Sequence, residues 1–227
     1  MFGLFGKKDP SFAVESPIKM TVIEADKWID IYGTIENTTK NTIELKVPLL
    51  SQYLSNNLVP IIPEKNADTN LLENKDGIVK LFNFETQIKE IVLSERIMVI
   101  SKPLKFKDKN FGKAKELVSN FDLEVEIEIE YNALGVPHTQ KGKTYRIFHN
   151  GISLFTSIPI PQKTIIEVSL KIPYIEYIEK KKDKFTVSVI ESRQIEKKKF
   201  ETVLNYEKID NGLKKYLLEY SLLNQKV

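Results

Sequence analysis

The sequence predicts a mainly β protein with two small domains, the second of which is an antiparallel barrel followed by a helix. Three observations predict this class. Apolar and acidic side chains alternate from Phe121 to Tyr131, short apolar segments recur between turn residues, and a basic stretch divides the chain near its middle. The chain has 227 residues, of which 41% are hydrophobic, so it is long enough to form two cores.

The composition excludes several functional classes. The chain has no cysteine, which removes disulfides, thiolate metal sites and cysteine nucleophiles, and which fits a cytoplasmic location. The formal net charge is only +3, and no apolar run is long enough to span a membrane. We therefore expect no nucleic-acid partner and no transmembrane segment, in a protein that is a monomer or a homodimer.

The first half of the chain predicts a β domain. We assign residues 1–16 to a flexible tail and residues 17–104 to the first domain, with strands near 18–23, 28–32, 42–47, 78–85, 88–93 and 97–100. Residues 60–77 are polar and contain proline, which is typical of a surface loop. Residues 105–120 are basic and poor in large aliphatic side chains, and we assign them to an interdomain linker.

The second half carries the predicted barrel, residues 121–227. The alternating segment 121–131 is interpreted as one strand whose five acidic side chains face solvent and discourage edge pairing. Further strands are predicted near 144–149, 151–157, 164–173, 185–193 and 199–206, with turns that include 135–137 and 141–142. Asp210 or Asn211 can cap a final helix, in which one face carries Leu213, Leu217, Tyr220 and Leu223.

The sequence holds no pattern of catalysis or metal binding. The two histidines, His138 and His149, lie in different segments, and neither has the spacing of a metal ligand. There is no glycine-rich phosphate loop and no nucleophile elbow. We therefore expect a protein that is not an enzyme and that holds no metal.

The segment around Gly151 has a recognisable order. A strand leads to Gly151, a second strand follows, and a turn with Pro159 and Pro161 comes next. This order, completed by a C-terminal helix, resembles the PilZ domain, a six-stranded bacterial barrel that binds cyclic di-GMP (c-di-GMP). The family's second motif is Asp/Asn-x-Ser-x-x-Gly. Aligning its glycine with Gly151 puts Arg146 at the Asp/Asn position and Phe148 at the Ser position, so we expect Gly151 to serve a chain reversal with positive φ.

The resemblance also concerns the family's first motif, Arg-x-x-x-Arg, whose planar forks hold guanine edges and phosphates. Arginine occurs here only at positions 96, 146 and 193, so no such pair exists. Lys109 and Lys113 keep the spacing, although a lysine offers a point charge and not a fork. If c-di-GMP binds, the resemblance assigns the contacts to Lys109, Lys113, Lys115, Arg146 and Gly151.

The whole layout, a β-rich module joined by a short basic segment to a PilZ-like domain, resembles the flagellar-brake (YcgR-type) architecture. The resemblance implies two small antiparallel β-barrels in tandem, the second with a C-terminal α-helix. It also implies a bacterial protein of c-di-GMP signalling that acts on motility or surface behaviour.

Three functions stay open at this point. The lack of paired arginines favours a non-catalytic adaptor that has no cofactor, does not bind the nucleotide and acts on a protein, such as a flagellar motor or envelope component. The second function is that of a divergent c-di-GMP receptor that uses the basic segment and Arg146. The third is a structural pair of barrels with no signalling role.

Overall fold

The computed structural model describes residues 9–24, 27–55, 61–113, 120–122, 126–133, 136–148, 150–171 and 184–227. The chain divides into two compact units, one of Met1–Lys115 with Lys226–Val227 and the other of Glu116–Gln225. Each unit is built on a closed antiparallel barrel of six strands, so the predicted fold class is confirmed.

The first barrel closes without a free edge between its six strands. The described elements of this unit are β1 (Pro17–Glu24), β2 (Lys27–Thr38), β3 (Thr42–Lys46), α1 (Leu50–Ser55), β4 (Asn66–Lys75), β5 (Ile78–Val92), a 3₁₀ turn (Leu93–Glu95), β6 (Ile97–Ser101) and β7 (Lys107–Lys113). The strands follow one another as β4-β1-β2-β3-β6-β5, β5 returns to β4, and β7 extends the sheet from β5. The interior holds alternate side chains of the strands, among them Met20, Ile43, Leu71, Phe82 and Ile100.

One apolar pair of the first barrel faces solvent. Ile23 and Trp28 lie opposite each other, near the end of β1 and the start of β2. Their exposed fractions are 62% and 69%. Trp28 is the only tryptophan of the chain.

The predicted surface loop needs correction, and of the predicted tail the structure describes residues 9–16. The described residues before β1 are bonded to the barrel, since the backbone N–H of Phe12 donates to Glu73 Oε1 over 2.8 Å and that of Glu15 donates to the Ile35 carbonyl, also over 2.8 Å. The predicted loop 60–77 contains β4, which pairs with both β1 and β5. Its inward residues include Ala67 and Thr69, whose small or polar side chains hide the strand from a search for apolar alternation.

The predicted linker, 105–120, also contains a strand. Residues 107–113 form β7, which pairs with β5 from Lys107↔Asn83 to Lys113↔Ile78. Most β7 side chains are exposed and polar, so the strand is held by backbone pairing and not by an apolar face. A bulge sits where the pairing passes from Asn110 to Gly112, and Gly112 has a φ of +85°.

The second barrel has the same closed arrangement. Its described elements are β8 (Asn120–Asp122), β9 (Glu126–Ala133), β10 (Val136–Phe148), β11 (Gly151–Thr156), β12 (Ile165–Lys171), β13 (Lys184–Glu196), β14 (Lys199–Lys208) and the helix α2 (Asn211–Leu223). The ring runs β11-β14-β13-β12-β9-β10 and closes from β10 to β11, while β8 extends from β10. The interior is aliphatic, with Ile129, Ile152, Val168, Val187 and Leu204 fully or almost fully buried.

The strand predicted over 121–131 is described in two segments, β8 and β9, and residues 123–125 between them lie outside the described residues. Both β8 and β9 pair with β10, but β8 does so at residues 146–148 and β9 at residues 136–143. The turn predicted at 141–142 is wrong, because Lys141 and Gly142 pair with Glu128 and Ile127 inside this ladder. β9 also pairs with β12, so its glutamates lie in the interior of a sheet and not along an edge.

The C-terminal helix agrees with the sequence in its start and in its buried face. The side chain of Asp210 accepts hydrogen bonds from the N–H groups of Gly212 and Leu213, over 2.9 and 3.1 Å, and so caps α2. The four residues predicted to share a face are all buried: Leu213, Leu217, Tyr220 and Leu223. α2 packs against β10. Among the described residues, no helix combines the length and the apolar character that a membrane crossing requires.

Candidate functional site

The residues that the resemblance assigned to c-di-GMP fall in both units. Lys109 and Lys113 lie on β7 of the first unit, and Arg146 and Gly151 lie on β10 and β11 of the second. Lys115 lies outside the described residues. Each group is therefore described within its own unit.

The two lysines of β7 do not share a face of the sheet. Lys109 pairs with Leu81 and Lys113 pairs with Ile78. Residues three apart on a strand point to opposite faces, and paired residues of neighbouring strands point to the same face. The bulge between the lysines thus separates them, although their spacing in the sequence is that of the family motif.

Arg146 lies on the outer side of β10, and its guanidinium is stacked on a neighbouring ring. Its Cζ lies 5.1 Å from the centroid of the Tyr145 ring, and one of its terminal nitrogens lies 3.4 Å from the Tyr145 hydroxyl. A bulge in the β10–β11 ladder between Thr144 and Arg146 shifts the pleat at this point. As a result Thr144 and Ile147 are both buried, while Arg146 stays half-buried.

The stack continues across the next strand. The ring of Tyr145 lies 5.1 Å from the ring of Phe155 on β11, and Lys199 Nζ lies 4.6 Å from the centroid of Phe155. We call these four residues, Arg146, Tyr145, Phe155 and Lys199, the aromatic surface. Sequence reasoning missed its rings, because the bulge at Tyr145 breaks the alternation that would have placed them on one side of the strands.

Phe148, which the sequence resemblance aligned with the motif serine, lines a groove beside α2. We call this cavity of about 220 Å³ the helix groove; its lining residues are Ile147, Phe148, Tyr206, Asn211, Lys214, Lys215, Leu217 and Leu218. Burial raises the pKa of Tyr206, so its phenol stays neutral. A ring that contributes to an apolar wall cannot replace the hydrogen bonds of a serine hydroxyl.

Gly151 is required by close packing of two backbones. A Cβ on this residue would lie 1.9 Å from the carbonyl oxygen of Leu204 on β14. The described glycines with a positive φ are Gly77 and Gly112, so the positive φ expected at Gly151 is wrong. The glycine instead lets β11 approach β14, where Gly151 pairs with Asn205.

Two glutamates of the second barrel share one lysine, and a third glutamate lies beside them. Glu130 and Glu167 lie directly opposite each other on β9 and β12. Lys184 Nζ lies 2.8 Å from Glu167 Oε1 and 3.7 Å from Glu130 Oε2. Glu128 lines the same small cavity, and we call the three carboxylates the acidic cluster. Within the described ranges, no set of His, Cys, Asp and Glu side chains is arranged to hold a metal ion.

The one histidine that the structure describes packs against an aromatic ring. His138 stacks on Tyr131, with ring centroids 5.2 Å apart and an interplanar angle of 18°. The hydroxyl of Tyr131 accepts a hydrogen bond from the Gln140 amide over 3.0 Å. His149 lies outside the described residues.

Comparisons with known proteins find similarity in solved structures alone. No protein-family model matches the chain, and no curated protein matches it. The Bacillus subtilis inhibitor of motility (MotI/DgrA) matches with 13% identity over 92% of this chain and 96% of that chain, at a TM-score of 0.37. MrkH of K. pneumonia in complex with c-di-GMP matches with 11% identity over 92% and 88%, at a TM-score of 0.35.

YcgR of Escherichia coli in complex with c-di-GMP also matches, with 10% identity over 91% of this chain and 82% of that chain, at a TM-score of 0.31.

Proposed function

We propose that this protein is a non-catalytic, PilZ-like adaptor in c-di-GMP-type signalling, and that it acts on a protein partner without binding the nucleotide. The partner class is a component of the flagellar motor or of the envelope, with an effect on motility or surface behaviour. The observation that carries the proposal is that Arg146 and Phe148 lie on β10 where the family motif has an Asp or Asn and a Ser.

Those positions offer the wrong groups to a guanine. A guanidinium has five donors and no acceptor, so Arg146 cannot replace the acceptor of an Asp or Asn, and a phenyl ring such as that of Phe148 has neither. The guanidinium is also already stacked on Tyr145. A micromolar ligand has only about 8 kcal/mol of binding free energy, and each lost hydrogen bond to a charged group removes about 1.5–3 kcal/mol of it.

The first motif supports the same conclusion. The lysines that keep its spacing lie on opposite faces of β7, so two ammonium groups do not converge on one phosphate from this strand. Lysine also lacks the fork that reads the O6 and N7 edge of guanine.

Titration calorimetry of c-di-GMP into the full chain tests the proposal. We expect no heat beyond that of dilution. A micromolar dissociation constant that Arg146→Ala or Lys113→Ala abolishes, and that the matched change Lys197→Ala leaves intact, would show that the protein is a receptor. Lys197 suits the control because it is an exposed lysine in the turn between β13 and β14.

A second candidate function, a divergent c-di-GMP receptor, is favoured by the aromatic surface. Two half-buried rings flanked by an arginine and a lysine resemble the surfaces on which bases stack while cations hold phosphates. In that case Tyr145→Ala would abolish the calorimetric signal, whereas Tyr145→Phe, which keeps the ring, would retain most of it.

A further inference from the structure

The helix groove has a composition that packing alone does not explain. Its floor is apolar, with Ile147, Phe148, Leu217 and Leu218, yet polar groups surround it. Helix α2 already buries its own apolar face against the barrel through other residues, such as Leu213 and Leu223. The groove is therefore space that remains beside a helix that is already packed.

The size of the groove limits what can enter it. Pockets for nucleotides and other small-molecule ligands have volumes of about 300–1,000 Å³, and an apolar cavity of about 150 Å³ is enough for a benzene ring. At about 220 Å³ the helix groove is too small for a dinucleotide and large enough for one aromatic or branched aliphatic side chain.

The polar groups around the groove favour an acidic ligand. Lys214 is half-buried, and within the described residues its ammonium group has no ion-pair partner. The hydroxyl of Tyr206 likewise makes no hydrogen bond in the described part of the chain, and it remains a neutral donor. Lys215 is engaged by Glu219, with an Nζ–Oε1 distance of 3.5 Å, so the cation that is left to attract a ligand is that of Lys214.

We propose that the helix groove docks an acidic segment of a partner protein, which inserts one large apolar side chain between α2 and β10 and places carboxylates near Lys214. This inference rests on the proposed function in one respect, namely that the partner is a protein. Burial of one side chain supplies most of the binding free energy, and each exposed charge pair adds less, so the affinity of a short peptide is low.

Nuclear magnetic resonance of the full ¹⁵N-labelled chain tests the docking site with synthetic peptides. The first probe is a short peptide of glutamates with one central phenylalanine, and the second is the same peptide with alanine at that place. We expect the first to bind with a dissociation constant of about 0.1–1 mM, at least 10-fold more tightly than the second. The amide shifts should be confined to β10, β14 and α2 around the groove.

Two variants of equal charge change locate the interaction. Lys214→Glu should weaken the phenylalanine peptide at least 5-fold, while Lys197→Glu, in the β13–β14 turn, should leave its affinity unchanged. Unaltered spectra of the remaining residues show that both variants are folded. Equal binding of the two peptides, shifts elsewhere, no binding, or equal effects of both variants would each overturn the proposal.

Other occupants give distinct results. Binding of phosphatidylglycerol vesicles that depends on Lys214, without peptide binding, would replace the peptide by a lipid surface and overturn the proposal. A concentration-dependent dimer that Lys214→Glu dissociates would replace it by a second copy of the chain. Failure of the peptide with no c-di-GMP heat overturns only the docking site, whereas c-di-GMP heat that Arg146→Ala abolishes overturns the proposed function.

Discussion

The guanidinium of Arg146 lies over the ring of Tyr145, with Cζ 5.1 Å from the ring centroid. Tyr145 in turn packs on Phe155, and the ammonium group of Lys199 lies over the Phe155 ring. The cation that the sequence resemblance aligned with the motif's Asp/Asn is thus engaged by an aromatic ring of the protein's own surface.

This stacking should be measurable as a coupling free energy. In a double-mutant cycle of Arg146→Ala and Tyr145→Leu, urea unfolding should give a coupling of about 0.5–1 kcal/mol, because that is the strength of a cation–π pair at a partly exposed site. Arg146→Lys should keep part of it. Strictly additive losses in the double variant would show that the contact does not stabilise the barrel.

The lysine in the acidic cluster should offset repulsion between two opposed glutamates. Because Glu130 and Glu167 pair across β9 and β12, Lys184→Met should lower the free energy of unfolding by about 0.5–1 kcal/mol. Adding Glu167→Gln should restore most of the loss. Chemical denaturation at low and high salt checks this, and a loss that Glu167→Gln leaves untouched would point to packing of the lysine stem instead.

Gly151→Ala should be among the most damaging single changes in the second barrel. The added methyl would overlap a backbone oxygen at 1.9 Å, which cannot move without parting β11 from β14. We expect a loss of more than about 3 kcal/mol, seen in thermal unfolding.

Gly77→Ala is the comparison for this change. Gly77 has a φ of +76° and open space around its missing Cβ, so alanine there should cost only about 1–2 kcal/mol of backbone strain. Equal losses at the two glycines would contradict the steric explanation.

Glu219 should make stability depend on pH. Burial raises the pKa of this carboxyl, and Lys215 only partly opposes the shift. A raised folded-state pKa means that the native state binds the proton more tightly than the unfolded state, so this group destabilises the fold above its folded pKa and ceases to do so below its unfolded value near 4.5.

Glu219→Gln should therefore raise the melting temperature at neutral pH, and the difference from the parent chain should vanish as the pH falls below the unfolded value. Calorimetric melts at several pH values provide the measurement. Lys215→Gln is the informative control, because it should increase the cost of the buried carboxylate at neutral pH. A melting temperature that Glu219→Gln lowers at neutral pH would show that the ion pair outweighs burial.

The sequence predicted those strands and the helix in which apolar side chains recur with a regular period. Strands such as β11, β12 and β14, and the capped helix with its face of Leu213 and Leu217, follow from side-chain period alone. The resemblance to PilZ domains supplied the correct barrel and placed Gly151 correctly at the start of β11.

What the sequence could not predict depends on neighbours far along the chain. β4 buries Thr69 and β7 exposes nearly all its side chains, so both are strands because β5 lies between them and offers backbone partners. The bulges in β7 and β10 each shift the register by one residue, so Lys113 and Tyr145 lie on the face of the sheet opposite to the one that regular alternation predicts. No local sequence pattern signals such a shift. The candidate surfaces therefore differ most from the prediction where the ladders are irregular.

Because Trp28 lies on β2, the tryptophan fluorescence of the chain reports on the first barrel. Trp28 is the only tryptophan of the chain, and it lies near the start of β2 in the first barrel with an exposed fraction of 69%. Its emission should already be red-shifted in the native protein, because the indole is largely in contact with water. A ligand that quenches or blue-shifts this emission would thus be identified as one that contacts the exposed pair of Ile23 and Trp28 on β1 and β2.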